Sequence, residues 1–418
     1  MLKLLRGRRW RSSIAIVGAG LVIALAAAVA AESIAPKIAY VRSGAAASES
    51  VPEIPSVAHL PTPVPLRAIY MTQCAAGTQS FRTDFLKLLN TTELNAIIID
   101  IRDYTGKIAF PTDTPSLRDM VSDECGARDM KEFVKLLHDN DIYVIGRITV
   151  FQNPAYTKLH PEQAVQHIDG GVWKDKNGLA FVDVGARAYW DSVVELSKES
   201  YLLGFDELNY DYIRFPSDGN MKAAVYSYNA GKTKGEALEE FFRYLHSKVK
   251  AIPSTGSGQG EVVMSADLFG YVTVHTDDLG IGQILERALP YFDYIAPMVY
   301  PSHYNAGFAG LKNVNSDPYK VVYTSMAEAV KRTVATTTIL ASFAYERIGT
   351  STPALYSKPS YPASKMRPWL QSFDYPVPYT PEMVAAQIKA NEDAGLDSYM
   401  FWDAANRYRS LRQVLAPQ

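Results

Sequence analysis

Several features are scarce in this chain of 418 residues, and each scarcity excludes a class of function. Basic and acidic residues nearly balance, at 42 and 44, so no cationic surface for binding nucleic acid is indicated. The 7 histidines include no closely spaced pair of the kind that binds catalytic zinc, so no metal site is predicted. Phosphate-binding loops, dinucleotide fingerprints and Gly-x-Ser-x-Gly turns are also missing, so no cofactor is predicted.

Cysteine is also scarce, with only Cys74 and Cys125 present. In an exported protein an even pair favours one disulfide bond. Two cysteines carry no spacing signature, so two free thiols remain the alternative.

The N-terminus has the features of an export signal. A run rich in lysine and arginine precedes an apolar run over residues 14–31, whose length lies between that of a signal peptide and that of a membrane span. The Ala-Val-Ala segment at 28–30 offers a cleavage site, and the positive flank predicts that the rest of the chain lies outside the cytoplasm. Residues 1–31 are therefore predicted to be a signal peptide or a membrane anchor, and the protein to be secreted or anchored facing outward.

Residues 32–65 are rich in proline, alanine and serine, which is typical of an extended linker. From residue 66 onward, short apolar segments alternate with amphipathic helical patterns, which predicts a (β/α)8 TIM barrel over 66–418. The predicted strands are Arg67–Met71, Ala96–Ile101, Tyr143–Val150, Glu207–Asp211, Val262–Asp267, Tyr294–Val299, Met366–Phe373 and Ser398–Trp402. The predicted helices are Asp129–Asn140, Ala188–Leu203, Gly235–Ala251, Ile281–Leu289, Pro318–Val334 and Pro381–Ala394.

Two alternatives bear on this fold. An open, doubly wound sheet would need a glycine-rich loop after the first strand, and residues 72–77 do not form one. Residues 336–344 also have a strand pattern and compete with Met366–Phe373 for the seventh position. We prefer Met366–Phe373 and interpret residues 336–365 as an insertion.

The fourth predicted strand carries the main functional signal. A helical pattern ends at Gly204, and the strand that follows places Glu207, Asn209 and Asp211 on one face. Carboxylates on the inner face of a strand require a partner or a function. In a parallel barrel the functional side chains gather at the carboxyl ends of the strands. The candidates at these ends are Asp100, Asp103, Asp211, Arg214, Asp267, Tyr300, His303, Gln371 and Trp402.

Two carboxyl groups on neighbouring strands suit the hydrolysis of a glycosidic bond, which requires a protonated acid and a nucleophile or base. Asp211 and Asp267 are the preferred pair, because like charges in proximity keep one group protonated. Arg214 is expected to hold Asp211 ionised, and Asp100 and Asp103 are rivals for the acid role. We expect Asp100, Arg214, Tyr300, His303, Gln371 and Trp402 to bind the sugar.

Structural roles remain open for several of these residues. Asp211 could simply form an ion pair with Arg214, Asp267 could cap a helix, and Trp402 could pack in the core. A second function of a different class also remains, in which the same face of the barrel binds a glycan without cleaving it. The separation of the two carboxyl groups would discriminate the two functions, since cleavage needs roughly 5–9.5 Å. A sugar deacetylase is disfavoured by the lack of paired histidines.

The segment from Phe205 to Pro216, with 367–371 and 398–402, resembles a bacterial family of glycoside hydrolase-like proteins, the DUF4015 type, over about residues 66 to 410. The resemblance implies a TIM barrel and carbohydrate hydrolysis. A more distant similarity is to family 18 chitinases, whose fourth strand carries Asp-x-x-Asp-x-Asp-x-Glu. Asp206, Asn209 and Asp211 occupy three of those positions, but Ile213 stands where the family has its catalytic glutamate. A chitinase mechanism is therefore not expected.

Overall fold

The computed structural model describes residues 57–229, 231–253 and 260–416. The predicted signal or anchor segment and nearly all of the predicted linker lie outside the described residues. Within the described ranges, no helix is both long enough and apolar enough to cross a lipid bilayer.

Eight parallel strands close into a barrel in which each strand pairs with the next along the chain and the eighth pairs with the first. Helices occupy the connections, so the predicted TIM barrel is confirmed. The strands are β1 Arg67–Met71, β2 Ala96–Arg102, β3 Tyr143–Thr149, β4 Glu207–Asp211, β5 Val263–Phe269, β6 Tyr294–Met298, β7 Trp369–Gln371 and β8 Tyr399–Trp402.

The helices follow the periodic segments of the sequence. They are α1 Gln73–Ala76, α2 Gln79–Asn90, α3 Met130–His138, α4 Pro154–Leu159, α5 Arg187–Leu203, α6 Lys234–Val249, α7 Leu285–Ala288, α8 Pro318–Val334, α9 Pro381–Asp393 and α10 Arg409–Val414. Gly204 ends α5 in the left-handed conformation, at a φ of 115°, which glycine adopts without a steric penalty. Thr233 and Glu236 form a capping box that fixes the start of α6. The predicted helix over 281–289 is shorter than expected.

The competing strand at 336–344 lies outside the barrel. Thr337–Thr338, Leu355–Ser357 and Glu346–Ile348 form a small antiparallel sheet, while β7 lies between β6 and β8. The preference for Met366–Phe373 is therefore confirmed, although the ladder covers only the middle of that segment.

Alternation of side chains separates two buried clusters. Leu208 and Tyr210 of β4 point outward into the core between strands and helices, where the Tyr210 hydroxyl bonds to Ser197 of α5 at 2.9 Å. The barrel interior holds a smaller cluster that includes Tyr70, Tyr143 and Trp369. The inner face of β4 is therefore the polar one, as its alternation predicts.

The lower part of the barrel interior contains an ion pair between Arg367 and Glu207, with Tyr143 beside it. We call these three residues the lower layer. The Arg367 guanidinium donates to Glu207 Oε2 at 2.8 Å, and the Tyr143 hydroxyl lies 3.3 Å from the same oxygen. Thr62 bonds to Tyr143 from the segment before β1. Both charged side chains are almost fully buried. In the lower layer, one positive charge is therefore matched by one negative charge.

Cys74 and Cys125 form a disulfide bond, with their Cα atoms 4.5 Å apart, so the predicted pairing is confirmed. The bond ties α1, which follows β1, to the loop that follows β2. It thus restrains two of the connections at the carboxyl ends of the strands.

Candidate active site

Strand register brings the charged residues of four strands together. Asp100 on β2 lies beside Arg147 on β3, and Arg147 lies beside Asn209 on β4. Asp211 lies two residues beyond Asn209 on β4, and Asp267 lies two residues beyond Ser265, the partner of Asn209, on β5. We call Asp100, Arg147, Asp211 and Asp267 the upper layer. Each of these side chains is at most 8% exposed, so their charges interact through little water.

Arg147 is the centre of the upper layer. Its guanidinium donates to Asp100 Oδ1 at 2.5 Å and to Asp211 Oδ2, and its Nε lies 3.8 Å from Asp267 Oδ2. Burial alone would disfavour the cation, but the adjacent Asp211 and Asp100 carboxylates raise the pKa of Arg147 well above its ordinary value. One permanent cation therefore faces three carboxyl groups.

The carboxylate of Asp211 is oriented by two donors. Besides Arg147, the backbone N–H of Tyr212 donates to Asp211 Oδ1 at 2.5 Å. Tyr212 takes up the left-handed conformation, with a φ of 47°, which is uncommon for an aromatic residue. A strained residue directly after the strand thus directs its amide at the carboxylate, and such strain is often found at functional sites.

Asp267 lies in a different hydrogen-bonding environment from Asp211. Its Oδ1 accepts hydrogen bonds from Asn209 at 2.8 Å and from the Trp369 indole at 2.7 Å. Burial and the charge of Asp211 raise its pKa well above the ordinary value, against the opposing effect of Arg147. Since Oδ1 is occupied by two donors, Oδ2 is the oxygen that can carry a proton.

Asp100 lies beneath Arg147. Its second oxygen accepts a hydrogen bond from the Tyr70 hydroxyl on β1. Burial raises the pKa of Asp100 to about 6, with Arg147 opposing the rise. Asp100 thus supports Arg147, whereas Asp103, the other candidate for the acid, accepts hydrogen bonds from Gln73 at the start of α1 and from Thr105 in the loop after β2.

Aromatic side chains surround this charge cluster. Trp402 stacks on Tyr70, with ring centroids 3.7 Å apart, and lies 4.8 Å from the guanidinium carbon of Arg147. Trp369 meets Trp402 edge to face at 5.6 Å. Burial, followed by the charges of Asp267 and Asp211, raises the pKa of the Tyr300 hydroxyl, so it remains a neutral donor.

A cavity of about 450 Å³, the central cavity, opens above the upper layer. Its volume lies in the range typical of ligand sites. It brings together most of the predicted site residues: Asp211, Arg214, Asp267, Tyr300, His303 and Trp402. Burial lowers the pKa of His303, which favours its neutral form. In the described part of the chain, no cluster of three acidic, histidine or cysteine side chains is arranged to hold a metal ion.

Two predicted site residues lie behind the cavity wall. Asp100 is beneath Arg147, and Gln371 is fully buried. The Gln371 side chain accepts from Ser302 at 2.8 Å and donates to the backbone of Phe373 and Tyr375. It therefore holds the loops after β6 and β7 in place.

The expected partnership of Arg214 with Asp211 is wrong. Arg214 donates to the backbone oxygen of Phe215 at 3.0 Å and lies over the ring of Tyr212. Arg147 is the cation at Asp211 because the register of β3 and β4 places it on the inner face of the barrel. Arg214 still lines the cavity, on the loop after β4.

The sequence analysis missed Arg147 and Asn209 as parts of the site. A signal for Arg147 existed, because it is the one charge within the apolar strand Tyr143–Thr149, and a buried charge needs a partner. Ile213, at the position of the chitinase glutamate, is fully buried in the outer hydrophobic core. The expectation that the acid lies elsewhere therefore agrees with the local structure.

A TIM barrel with buried carboxyl groups and aromatic side chains around an open cavity has the architecture of a glycoside hydrolase. Residues 68–408 match the DUF4015 family, described as "Putative glycosyl hydrolase domain". The chain belongs to this family, which makes it an enzyme of the glycoside hydrolase class with a carbohydrate substrate. Among curated proteins, no sequence match is found.

Solved structures share the architecture. The PgaB (BpsB) glycoside hydrolase domain from Bordetella bronchiseptica is 12% identical, with a TM-score of 0.53 over 85% of this chain and 100% of that one. Alpha-L-fucosidase isoenzyme 2 from Paenibacillus thiaminolyticus is 10% identical, with a TM-score of 0.50 over 84% and 49%. A hypothetical protein from Ruminiclostridium thermocellum ATCC 27405 is 30% identical over 51% and 98%, with a TM-score of 0.42. At 10–12% identity the first two support the fold alone.

Proposed function

We propose that this protein hydrolyses glycosidic bonds of an extracellular or cell-envelope polysaccharide, with Asp211 and Asp267 as its carboxyl pair. The observation that carries this proposal is the difference between the two groups in one cavity. Arg147 and a backbone amide stabilise the charge on Asp211, whereas burial and the Asp211 charge favour the protonated form of Asp267. Glycosidic hydrolysis requires such a pair of one carboxylate and one acid.

In this mechanism Asp267 donates the proton on Oδ2 to the glycosidic oxygen as its bond to the anomeric carbon breaks. Asp211 then either attacks the anomeric carbon itself or removes a proton from the attacking water. In the route through a covalent intermediate, the incoming water gives a proton back to Asp267 as it attacks the anomeric carbon. In both routes the hydrogen bond from Arg147 orients the Asp211 carboxylate.

The remaining side chains would hold the sugar. Trp402 offers an aromatic face for a ring, and the hydroxyl of Tyr300 and the guanidinium of Arg214 offer donors for sugar oxygens. His303 is neutral and can donate or accept at the cavity wall. Asp100 and Gln371 act through Arg147 and the loops.

We also propose that the enzyme works outside the cytoplasm, secreted or held by residues 14–31. The Cys74–Cys125 disulfide supports this location, because such bonds persist in oxidising compartments. Protection of the full-length protein from externally added protease in intact cells would contradict it.

The test of the activity is mass spectrometry of the products released from a panel of envelope and matrix polysaccharides. The wild type is compared with Asp211→Asn, which keeps the shape of the side chain and removes its charge. Oligosaccharides from the wild type alone are the expected result. Equal release by both proteins would contradict the role of Asp211.

A further inference from the structure

Two further cavities adjoin the central one on opposite sides. The first, of about 270 Å³, lies over the loops after β2, β3 and β4 and shares Tyr212, Arg214, Ser217 and Asp218 with the central cavity. The second, of about 750 Å³, lies over the loops after β6, β7 and β8 and shares Tyr300, His303 and Trp402 with it. We call them the β3-side cavity and the β7-side cavity.

Because they share wall residues, the three cavities adjoin one another. In the closed strand order, β3 and β7 stand on opposite sides of the barrel. The three cavities therefore lie in a row across the mouth of the barrel, which we call the groove, and Asp211 and Asp267 line the middle cavity. A glycosidase that removes terminal sugars needs a wall on one side of its carboxyl pair, and here a further cavity adjoins the central one on each side.

Both ends of the groove offer groups suited to sugars. Tyr104 lines the β3-side cavity and is 55% exposed, so its ring is free to receive a sugar face. The β7-side cavity is lined by the exposed arginines Arg407 and Arg409 and by the half-buried ring of Phe373. Each flanking cavity thus combines an aromatic ring with polar donors or acceptors, as the central cavity does.

We infer that the β3-side and β7-side cavities are additional sugar-binding subsites, and that the enzyme cleaves internal bonds of a polysaccharide lying across the barrel. This inference rests on the proposed function. Beyond that function, it states that cleavage occurs at internal bonds and that sugar units must be bound on both sides of the cleaved bond.

The test follows product length from the first turnovers of the full chain in mild detergent. The probes are end-labelled starch, β-1,3-glucan, galactan, partially deacetylated chitin, peptidoglycan strands and alginate. Size-exclusion chromatography should show the labelled chain falling steeply in length while mono- and disaccharides are still scarce. Stepwise loss of one product of fixed length would overturn the inference and leave the hydrolase standing. Absence of cleavage on every probe would overturn the proposed function as well.

A variant at the end of the groove gives a second measurement. With oligosaccharides of the cleaved polymer, Tyr104→Ala should lower kcat/KM about two- to ten-fold for long chains, the value of one aromatic contact, and less for short ones. The control Tyr323→Ala removes a tyrosine of similar exposure on α8, at 40%, outside all three cavities, and should have no effect at any length. An equal loss on long and short chains in Tyr104→Ala would contradict a separate subsite.

Discussion

The barrel buries arginine–carboxylate contacts at two levels, and the two levels differ in stoichiometry and access. In the lower layer one arginine, Arg367, meets one carboxylate, Glu207, deep in the interior. In the upper layer one arginine, Arg147, meets Asp100, Asp211 and Asp267 below an open cavity. The same chemical groups therefore form a one-to-one ion pair at one level and a cluster with three carboxyl groups for one cation at the other.

The difference in charge balance affects how readily a carboxyl group in each layer binds a proton. A single buried pair is neutral and has no reason to take up a proton. Three carboxyl groups around one cation carry excess negative charge, and burial together with the charge of Asp211 raises the pKa of Asp267. In the proposed mechanism, the cavity gives a proton on Asp267 access to the substrate. Charge imbalance next to an opening, rather than burial alone, distinguishes the upper layer.

The largest expected effect comes from the acid of the upper layer. Asp267→Asn should lower kcat by about 10²- to 10⁴-fold, which is the usual contribution of a general acid or base. The wild type should lose activity as the pH rises through the raised pKa of Asp267, because the acid must be protonated to act. Rates measured across pH on the cleaved polysaccharide check both statements.

The control for that variant is Glu207→Gln, the same kind of change in the lower layer. It should leave kcat and the pH profile of the folded enzyme unaltered, since Glu207 lies away from the cavity. Comparable turnover by Asp267→Asn and the wild type would assign the acid elsewhere.

Glu207→Gln is expected to act on stability instead. It leaves Arg367 buried without an anion, which typically costs about 3–5 kcal/mol. The free energy of unfolding, measured in urea, should fall by this amount. Replacing both partners, with Glu207→Leu and Arg367→Met, should restore most of the loss, because two apolar side chains leave no buried charge. A single variant as stable as the wild type would show that the lower pair is dispensable.

The raised pKa of Asp100 makes the free energy of unfolding depend on pH. Its folded-state pKa of about 6 exceeds the ordinary 3.8, so its ionisation opposes folding increasingly as pH rises from about 4 to above 6. Asp100→Asn cannot ionise, so its stability relative to the wild type should improve by roughly 2 kcal/mol between pH 4 and pH 7. Urea denaturation at the two pH values measures the change. A difference that does not vary with pH would contradict the raised pKa.

The smallest expected effect concerns the aromatic wall. Trp402→Phe keeps a ring but reduces its face, so KM should rise about two- to ten-fold with little change in kcat. The control Trp190→Phe alters a tryptophan that is 1% exposed in the outer core. It should lower stability and leave KM unchanged. A change in kcat alone for Trp402→Phe would point to an effect through Arg147 rather than on sugar binding.

Much of the fold was predictable from the sequence because the period of the apolar residues is local information. The bounds of β1, β4 and α8 match the predictions, since turn residues and caps mark their ends. The helix predicted over 281–289 was too long because its apolar pattern continues into the loop before α7. The inner face of β4 followed directly from alternation along the strand.

The site was only partly predictable. Asp211 and Asp267 were proposed because each ends a predicted strand and the ends of parallel strands meet at one face, and both line the central cavity. The role of Arg147 was missed because Arg214 is nearer to Asp211 in the sequence, whereas Arg147 is nearer in space through the register of β3 and β4. Gln371 was expected at the sugar and lies behind the wall, because the loops after β6 and β7 close over it.

The sequence by itself determined the alternation of strands and helices, the position of the carboxylates at strand ends and the family to which the chain belongs. Those properties depend on local periodicity and on motifs that any reader of the chain can see. Only the tertiary structure decided which cation faces which carboxylate, in which direction burial shifts the pKa of Asp267, and which cavities adjoin. These depend on distances and desolvation between residues far apart in the chain, which exist only once the barrel has closed.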